Sequence, residues 1–305
     1  MCGLFGFSKY GNEEIKGISD LTNALAEQSS IRGTDATGIA YCSTKGLEIL
    51  KESKAAYMLS FKHPDDIVAL TGHARHKTCG SEKNFNNHPF KGCYKGFNFA
   101  LCHNGVLSND KSLRKELRLP KTKIETDSYI AVQLLESQPR LDFDSIKYMA
   151  EKTEGSFSYT ILDEKNNLYL VKGDSPLSIL HFPKQKIYVY ASTDSILYKA
   201  LVDSPLFSAL KKGEYEAVEI NEGDILKITP DGNIEKRTFE YSYFYGRNWW
   251  NYGCYPYSFE LTDNSAEDEY LSELRTFAGY QGIDVDELLN NGFSLQEIED
   301  YIYEY

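Results

Sequence analysis

Short apolar runs of strand length, divided by turn residues, recur along the chain and restrict it to a fold built around packed sheets. They are clearest beyond Ser156, where residues 157–162, 168–171, 179–182 and 187–191 are separated by turn-forming stretches such as 164–167 and Gly173-Asp174. Residues 216–220 and 224–228 read as a hairpin across Asn221-Glu222-Gly223, and Pro230-Asp231-Gly232 turns a second one. Nearer the start, 4–7, 37–41, 47–50, 67–73 and 97–101 read as strands, the last ending at a His103-Asn104-Gly105 turn, while 77–93 reads as a polar loop. Helical spacing appears over 14–28, with Ile15, Ile18, Leu21 and Leu25 on one side, and again over 127–135, 145–152 and 195–201. Strands outnumber helices and the helices flank them in sequence, which predicts an α+β arrangement of sheets covered by helices.

A chain of 305 residues accommodates one large domain, or one domain and a small appendage. Its net charge of -12 argues against nucleic acid, because little is present to neutralise phosphates. No apolar stretch has the length of a membrane span, and the N-terminus lacks the basic-then-apolar pattern of a secretory leader. The expectation is a cytoplasmic protein with reduced thiols. The six cysteines include no CxxC pair, so neither a redox motif nor a zinc ribbon is supported. His73, His76, Cys79, His88 and His103 fall in one region and are of metal-binding type. However, His73 and His76 stand an odd number of residues apart on a strand and so face opposite ways. No metal and no cofactor are expected.

Chemistry is suggested first by Met1-Cys2-Gly3. Removal of Met1 ahead of a small residue would leave a thiol and a free α-amine on Cys2. An α-amine titrates near pH ~8 and a thiol near ~8.5, so the amine can take the thiol proton without a histidine. Gly3 would leave room for a substrate beside the nucleophile. On position alone, Cys2 reads more readily as an ordinary cysteine near a terminus.

Further motifs follow in order: Cys2-Gly3-Leu4-Phe5-Gly6, Arg32-Gly33-Thr34-Asp35-Ala36-Thr37-Gly38, Gly72-His73-Ala74-Arg75-His76-Lys77-Thr78-Cys79-Gly80, His103-Asn104-Gly105 and Glu125-Thr126-Asp127. Together they resemble the class II glutamine amidotransferases, which are N-terminal-nucleophile hydrolases, and most of all the glutaminase domain of glucosamine-6-phosphate synthase. The resemblance continues through Gly173-Asp174-Ser175-Pro176-Leu177 and Glu222-Gly223-Asp224, covering residues 2–237. It implies a four-layer α-β-β-α sandwich of the Ntn-hydrolase type. It also implies hydrolysis of the glutamine side-chain amide to glutamate and ammonia through a Cys2 thioester. In that pattern Arg75 clamps the substrate α-carboxylate and Asp127 pairs with its α-ammonium. Asn104 and Gly105 form the oxyanion hole, Arg32 supports the nucleophile, and Thr78 and His88 line the glutamine pocket. The chain departs from the pattern at His76, where an aromatic is common, and at Cys79, where a histidine is common. Both departures lie in the loop that would close over substrate.

Residues 1–237 are therefore expected to form the glutaminase domain. Residues 238–305 are expected to form an aromatic-rich segment, an acidic linker and short helices over 270–280, 285–290 and 295–303, a small helical extension able to dock a partner or cap the core. That remainder is too short for a synthase domain, so ammonia would pass to a separate protein. The rival readings are a stand-alone hydrolase of γ-glutamyl or related amides, and a non-catalytic binding protein that keeps the fold.

Overall fold

The structure is a computed structural model and describes residues 2–11, 15–77, 80–241, 275, 283–290 and 298. The chain divides into two compact units, Met1–Asn251 and Tyr252–Tyr305. The first unit contains two antiparallel sheets. One has the order β11-β9-β10-β1-β4-β2-β3, formed by Glu216–Ala217, Ser178–Phe182, Ile187–Ala191, Gly3–Lys9, Ala69–Arg75, Ala36–Ser43 and Gly46–Glu52. The other has the order β13-β12-β8-β7-β6-β5, formed by Ile234–Thr238, Asp224–Ile228, Leu168–Lys172, Gly155–Asp163, Phe97–Leu107 and Phe90–Tyr94.

Strand alternation explains how the sheets stack. Phe5, Phe7, Ile39 and Leu70 point one way, onto α1 (Ile18–Ser29) and α5 (Asp194–Val202), where Leu21, Leu25, Leu197 and Leu201 meet them. Leu4, Ala69, Ile179 and Tyr190 point the other way and meet Cys102, Leu162, Leu170 and Leu226 of the second sheet. Phe99, Leu101, Tyr159 and Ile161 leave that second sheet on its far side and pack on α3 (Tyr129–Glu136) and α4 (Phe143–Lys152). Three apolar layers thus separate four layers of secondary structure, the α-β-β-α sandwich. Burying one such phenylalanine or leucine is worth about 1.5–3 kcal/mol, so each layer is a principal source of stability. α4 is also capped by Asp142, which accepts from the Ser145 amide while the Ser145 hydroxyl accepts from the Asp142 amide.

Several elements differ from the sequence expectation. The β6 strand does not turn at His103-Asn104-Gly105. It pairs with β7 continuously from Phe99↔Asp163 to Leu107↔Gly155, and this long-range pairing overrides the hairpin tendency of Asn-Gly. Residues 216–220 do not pair with 224–228. Glu216–Ala217 joins β9 in the first sheet, whereas β12 lies between β8 and β13 in the second. The loop 77–93 ends in a strand, β5, and α1 starts only at Ile18, where Gly17 takes a left-handed conformation with φ 78°. Two short helices, α2 (Asp110–Glu116) and α6 (Phe207–Lys211), carry too few apolar residues to show a period. Phe239 and Tyr241, the first aromatics of the 239–259 segment, pack on Phe157 in the helix-facing layer. In the second unit, Val285–Asn290 is helical as expected, and Arg275 pairs with Asp286. The other expected helices there, 270–280 and 295–303, lie outside the described residues except for Arg275 and Ile298.

Gly38 on β2 shows how tightly the site's surroundings are built. A Cβ there would stand 2.3 Å from the His88 carbonyl oxygen and 2.9 Å from Pro89 Cδ, so the 87–89 segment lies directly on the strand. Gly38→Ala is expected to destabilise the domain by about 1–3 kcal/mol, the usual cost of overpacking, read as a lower denaturant midpoint at unchanged slope.

Candidate active site

Cys2 stands immediately before β1 and continues its alternation, facing the second sheet as Leu4 does. The β4 register pairs Gly3 with Ala74, which brings Arg75, at the end of β4, alongside Cys2. Ala69 of β4 faces the second sheet, so Thr71, His73 and Arg75 do as well. On β6, Cys102 faces the first sheet, and Asn104 follows it on the same side. The parity of three strands therefore sends Cys2, Arg75 and Asn104 into the inter-sheet layer. The His73 ring bridges the sheets there, donating from Nε2 to the His103 carbonyl at 2.9 Å.

The nucleophile candidate is pinned on both sides. Arg32 Nε donates to the Cys2 carbonyl at 2.8 Å, and the His76 amide reaches Cys2 Sγ at 3.4 Å. Burial pushes the Cys2 thiol pKa up. The His76 hydrogen bond and Arg75 pull it down, and Asp127 adds a smaller upward push. Arg75 and Asp127 are thus both within electrostatic reach of one sulfur.

Asn104 is 2% exposed, and its Nδ2 has no hydrogen-bond partner among the described residues. A buried amide donor left unmade costs about 1–3 kcal/mol, which a native fold tolerates where a ligand completes it. Gly105 adopts φ 136°, and a Cβ there would sit 2.0 Å from the Ser156 carbonyl oxygen, so only glycine fits. Asp127 precedes α3, and its Oδ2 accepts from the Leu107 amide at 2.6 Å, tying it to the strand that carries Asn104 and Gly105. Gly3 differs from expectation in one respect: the space its missing side chain leaves is filled by Ser29 at the end of α1, with Ser29 O 3.0 Å from a built Cβ. Thr78 lies outside the described residues.

His88 is buried, its ring centroid 4.1 Å from that of His73 and 4.2 Å from that of Phe90. Burial, followed by the neighbouring imidazoles and Arg75, depresses its pKa well below the usual value. Burial likewise holds His73 down at about 3 and lowers His103, whose Nδ1 meets Ser128 Oγ at 2.8 Å. The three rings are therefore neutral at physiological pH. Among the described residues no cluster of three or more His, Cys, Asp or Glu has the arrangement of a metal site.

Further residues, among them Glu125 of the Glu125-Thr126-Asp127 motif, brace the segment beside Arg75. Asn87 Oδ1 accepts from Arg75 Nη1 at 2.8 Å, and Lys51 Nζ donates to the Asn87 carbonyl at 2.6 Å. Glu125 Oε2 accepts from the Ser81 amide at 2.7 Å and from Asn86 Nδ2 at 2.9 Å, fastening the 80–87 loop. Hydrogen bonds from Ser81, then from Asn86, hold its carboxyl down at about 2. The density of amides in Asn84-Phe85-Asn86-Asn87 is the one feature that could have drawn attention to this loop.

Residues 73–199 match a family described as the glutamine amidotransferase domain. Curated relatives include glutamine–fructose-6-phosphate aminotransferase (isomerizing) of Sulfurisphaera tokodaii, 30% identical over 188 residues, covering 59% of this chain and 31% of the relative. The same enzyme of Listeria monocytogenes is 30% identical over 239 residues, covering 76% of this chain and 36% of the relative. The chain carries a class II glutamine amidotransferase domain. This amidotransferase domain spans about a third of the length of those relatives. Its fold is shared with glutamine phosphoribosylpyrophosphate amidotransferase from B. subtilis, at TM-score 0.61 and 21% identity, covering 78% of this chain and 49% of that one. A structure described as the allosteric regulatory enzyme of purine biosynthesis aligns at TM-score 0.62 and 20% identity, with the same coverage. No helix among the described residues is long and apolar enough to cross a membrane.

Proposed function

We propose that the amidotransferase domain hydrolyses the side-chain amide of glutamine with Cys2 as nucleophile. Support comes from Cys2 lying beside Arg75 across the β1–β4 pair, from the bond of His73 to the carbonyl next to Asn104, and from the buried Asn104 amide, which has no partner among the described residues. With Met1 removed, the Cys2 amine takes the thiol proton and the thiolate attacks the amide carbonyl. The carbonyl oxygen becomes an oxyanion, held by Asn104 Nδ2 and the Gly105 N–H. The amine returns the proton to the leaving nitrogen, ammonia departs and a γ-glutamyl thioester remains. Water, deprotonated by the same amine, hydrolyses that thioester and releases glutamate.

Arg75 and Asp127 bind the charged end of glutamine, the guanidinium on the carboxylate and the carboxylate on the ammonium. The ammonia is used elsewhere. The relatives named above are glutamine–fructose-6-phosphate aminotransferases, of which this chain spans about a third, and we propose that the ammonia passes from the amidotransferase domain to an acceptor reaction outside it.

Steady-state ammonia release tests the assignment. Arg75→Ala and Asp127→Asn are each expected to raise KM for glutamine about 10–100-fold, the loss of one charge-assisted contact, with a smaller change in kcat. A KM unmoved by either substitution would reject the clamp.

A further inference from the structure

A guanidinium that binds a carboxylate must be aimed, and one of the contacts that aims Arg75 comes from a neutral group. Its Nη1 donates to Asn87 Oδ1 at 2.8 Å, and Asn87 is 1% exposed. The rest of Asn87 is fixed in turn. Its Nδ2 donates to Ser53 Oγ at 2.9 Å and to Asn84 Oδ1 at 3.1 Å, and these two acceptors set the amide so that oxygen, not nitrogen, meets the arginine. Its carbonyl accepts from Lys51 Nζ, which also reaches the Pro89 carbonyl at 3.1 Å and lies 5.3 Å over the Phe90 ring. The segment rests on β2 at Gly38. Three sides thus hold one carboxamide against one guanidinium.

The chemistry of that contact is selective. A carboxamide accepts one hydrogen bond from arginine and leaves its positive charge whole. A carboxylate in the same place would pair with the guanidinium and repel a second carboxylate. We propose that Asn87, braced by Lys51 and Ser53, is a positioning residue that presents Arg75 to an α-carboxylate and thereby sets the preference for substrates carrying one. This rests on Arg75 being the carboxylate clamp.

The test compares ammonia release from glutamine and from glutamine whose α-carboxyl is amidated, using wild type, Arg75→Ala, Asn87→Ala and the near-isosteric Asn87→Asp. Thermal unfolding is followed on each. Asn87→Asp is expected to raise KM for glutamine about 10–100-fold, the scale of one charged hydrogen bond, with kcat within about threefold. Its preference for glutamine over the amidated substrate should shrink by a similar factor, and Asn87→Ala should shift both quantities in the same direction by less. A merely structural role would lower the unfolding temperature or kcat with the preference untouched, and that result overturns the inference. So does an unchanged KM in both Asn87 variants while Arg75→Ala moves it. If wild type releases no ammonia from glutamine, or Arg75→Ala leaves KM unmoved, the glutamine reading itself falls and takes this inference with it.

Discussion

Cys2→Ala is expected to abolish ammonia release from glutamine, with kcat falling by about 10⁴-fold or more, as when an essential nucleophile is removed. Among the described residues nothing replaces the sulfur. The other described cysteines are Cys42 and Cys102, buried in the inter-sheet layer, and Cys93, exposed on β5. Burial pushes the Cys42 and Cys102 thiols up to about 12, so neither supplies thiolate near neutral pH. The same substitution should leave the fold alone. Among the described residues the hydrogen-bond contacts of the Cys2 thiol are long ones to the His76 backbone, at 3.4 and 3.5 Å, so the unfolding free energy should move by less than about 0.5 kcal/mol. Inactivity at full stability separates a catalytic cysteine from a packing one.

Asn104→Ala is the second large effect. Losing one oxyanion donor is expected to reduce kcat about 10²–10³-fold, with KM for glutamine nearly unchanged because the donor acts on the transition state. Stability should hold or rise, since this buried amide donor has no partner among the described residues. Opposite movements of activity and stability mark a group kept for function rather than for folding. Equal ammonia release from wild type and Asn104→Ala would remove Asn104 from the mechanism.

The strand pattern made sheets covered by helices legible, and the motif resemblance supplied the four-layer sandwich. Phe5 and Phe7 against Leu4, or Leu101 against Cys102, already imply two buried faces per strand. The path of β6 through Asn104-Gly105 was not legible. Local preference favours a turn there, and only pairing with β7, some fifty residues later in sequence, decides otherwise. The placement of 216–217 failed for a similar reason, because adjacency in sequence suggested a hairpin while the available edge was β9 in the other sheet. Within the site, Cys2, Arg75, Asn104, Gly105 and Asp127 were readable from motifs whose chemistry suits an amide substrate. The supports were not. Lys51, Ser53 and Asn87 act through hydrogen bonds spanning 34–36 residues, and no spacing rule brings them together.

If the α-amine of Cys2 serves as the base, it must be free, and the most direct measurement is the intact mass of the active protein taken with its ammonia release from glutamine. The expected result is a chain beginning at Cys2 and, on rapid quenching with glutamine, a γ-glutamyl adduct on that residue which is absent from Cys2→Ala. Full ammonia release from protein that retains Met1, or from Cys2→Ala, would contradict it.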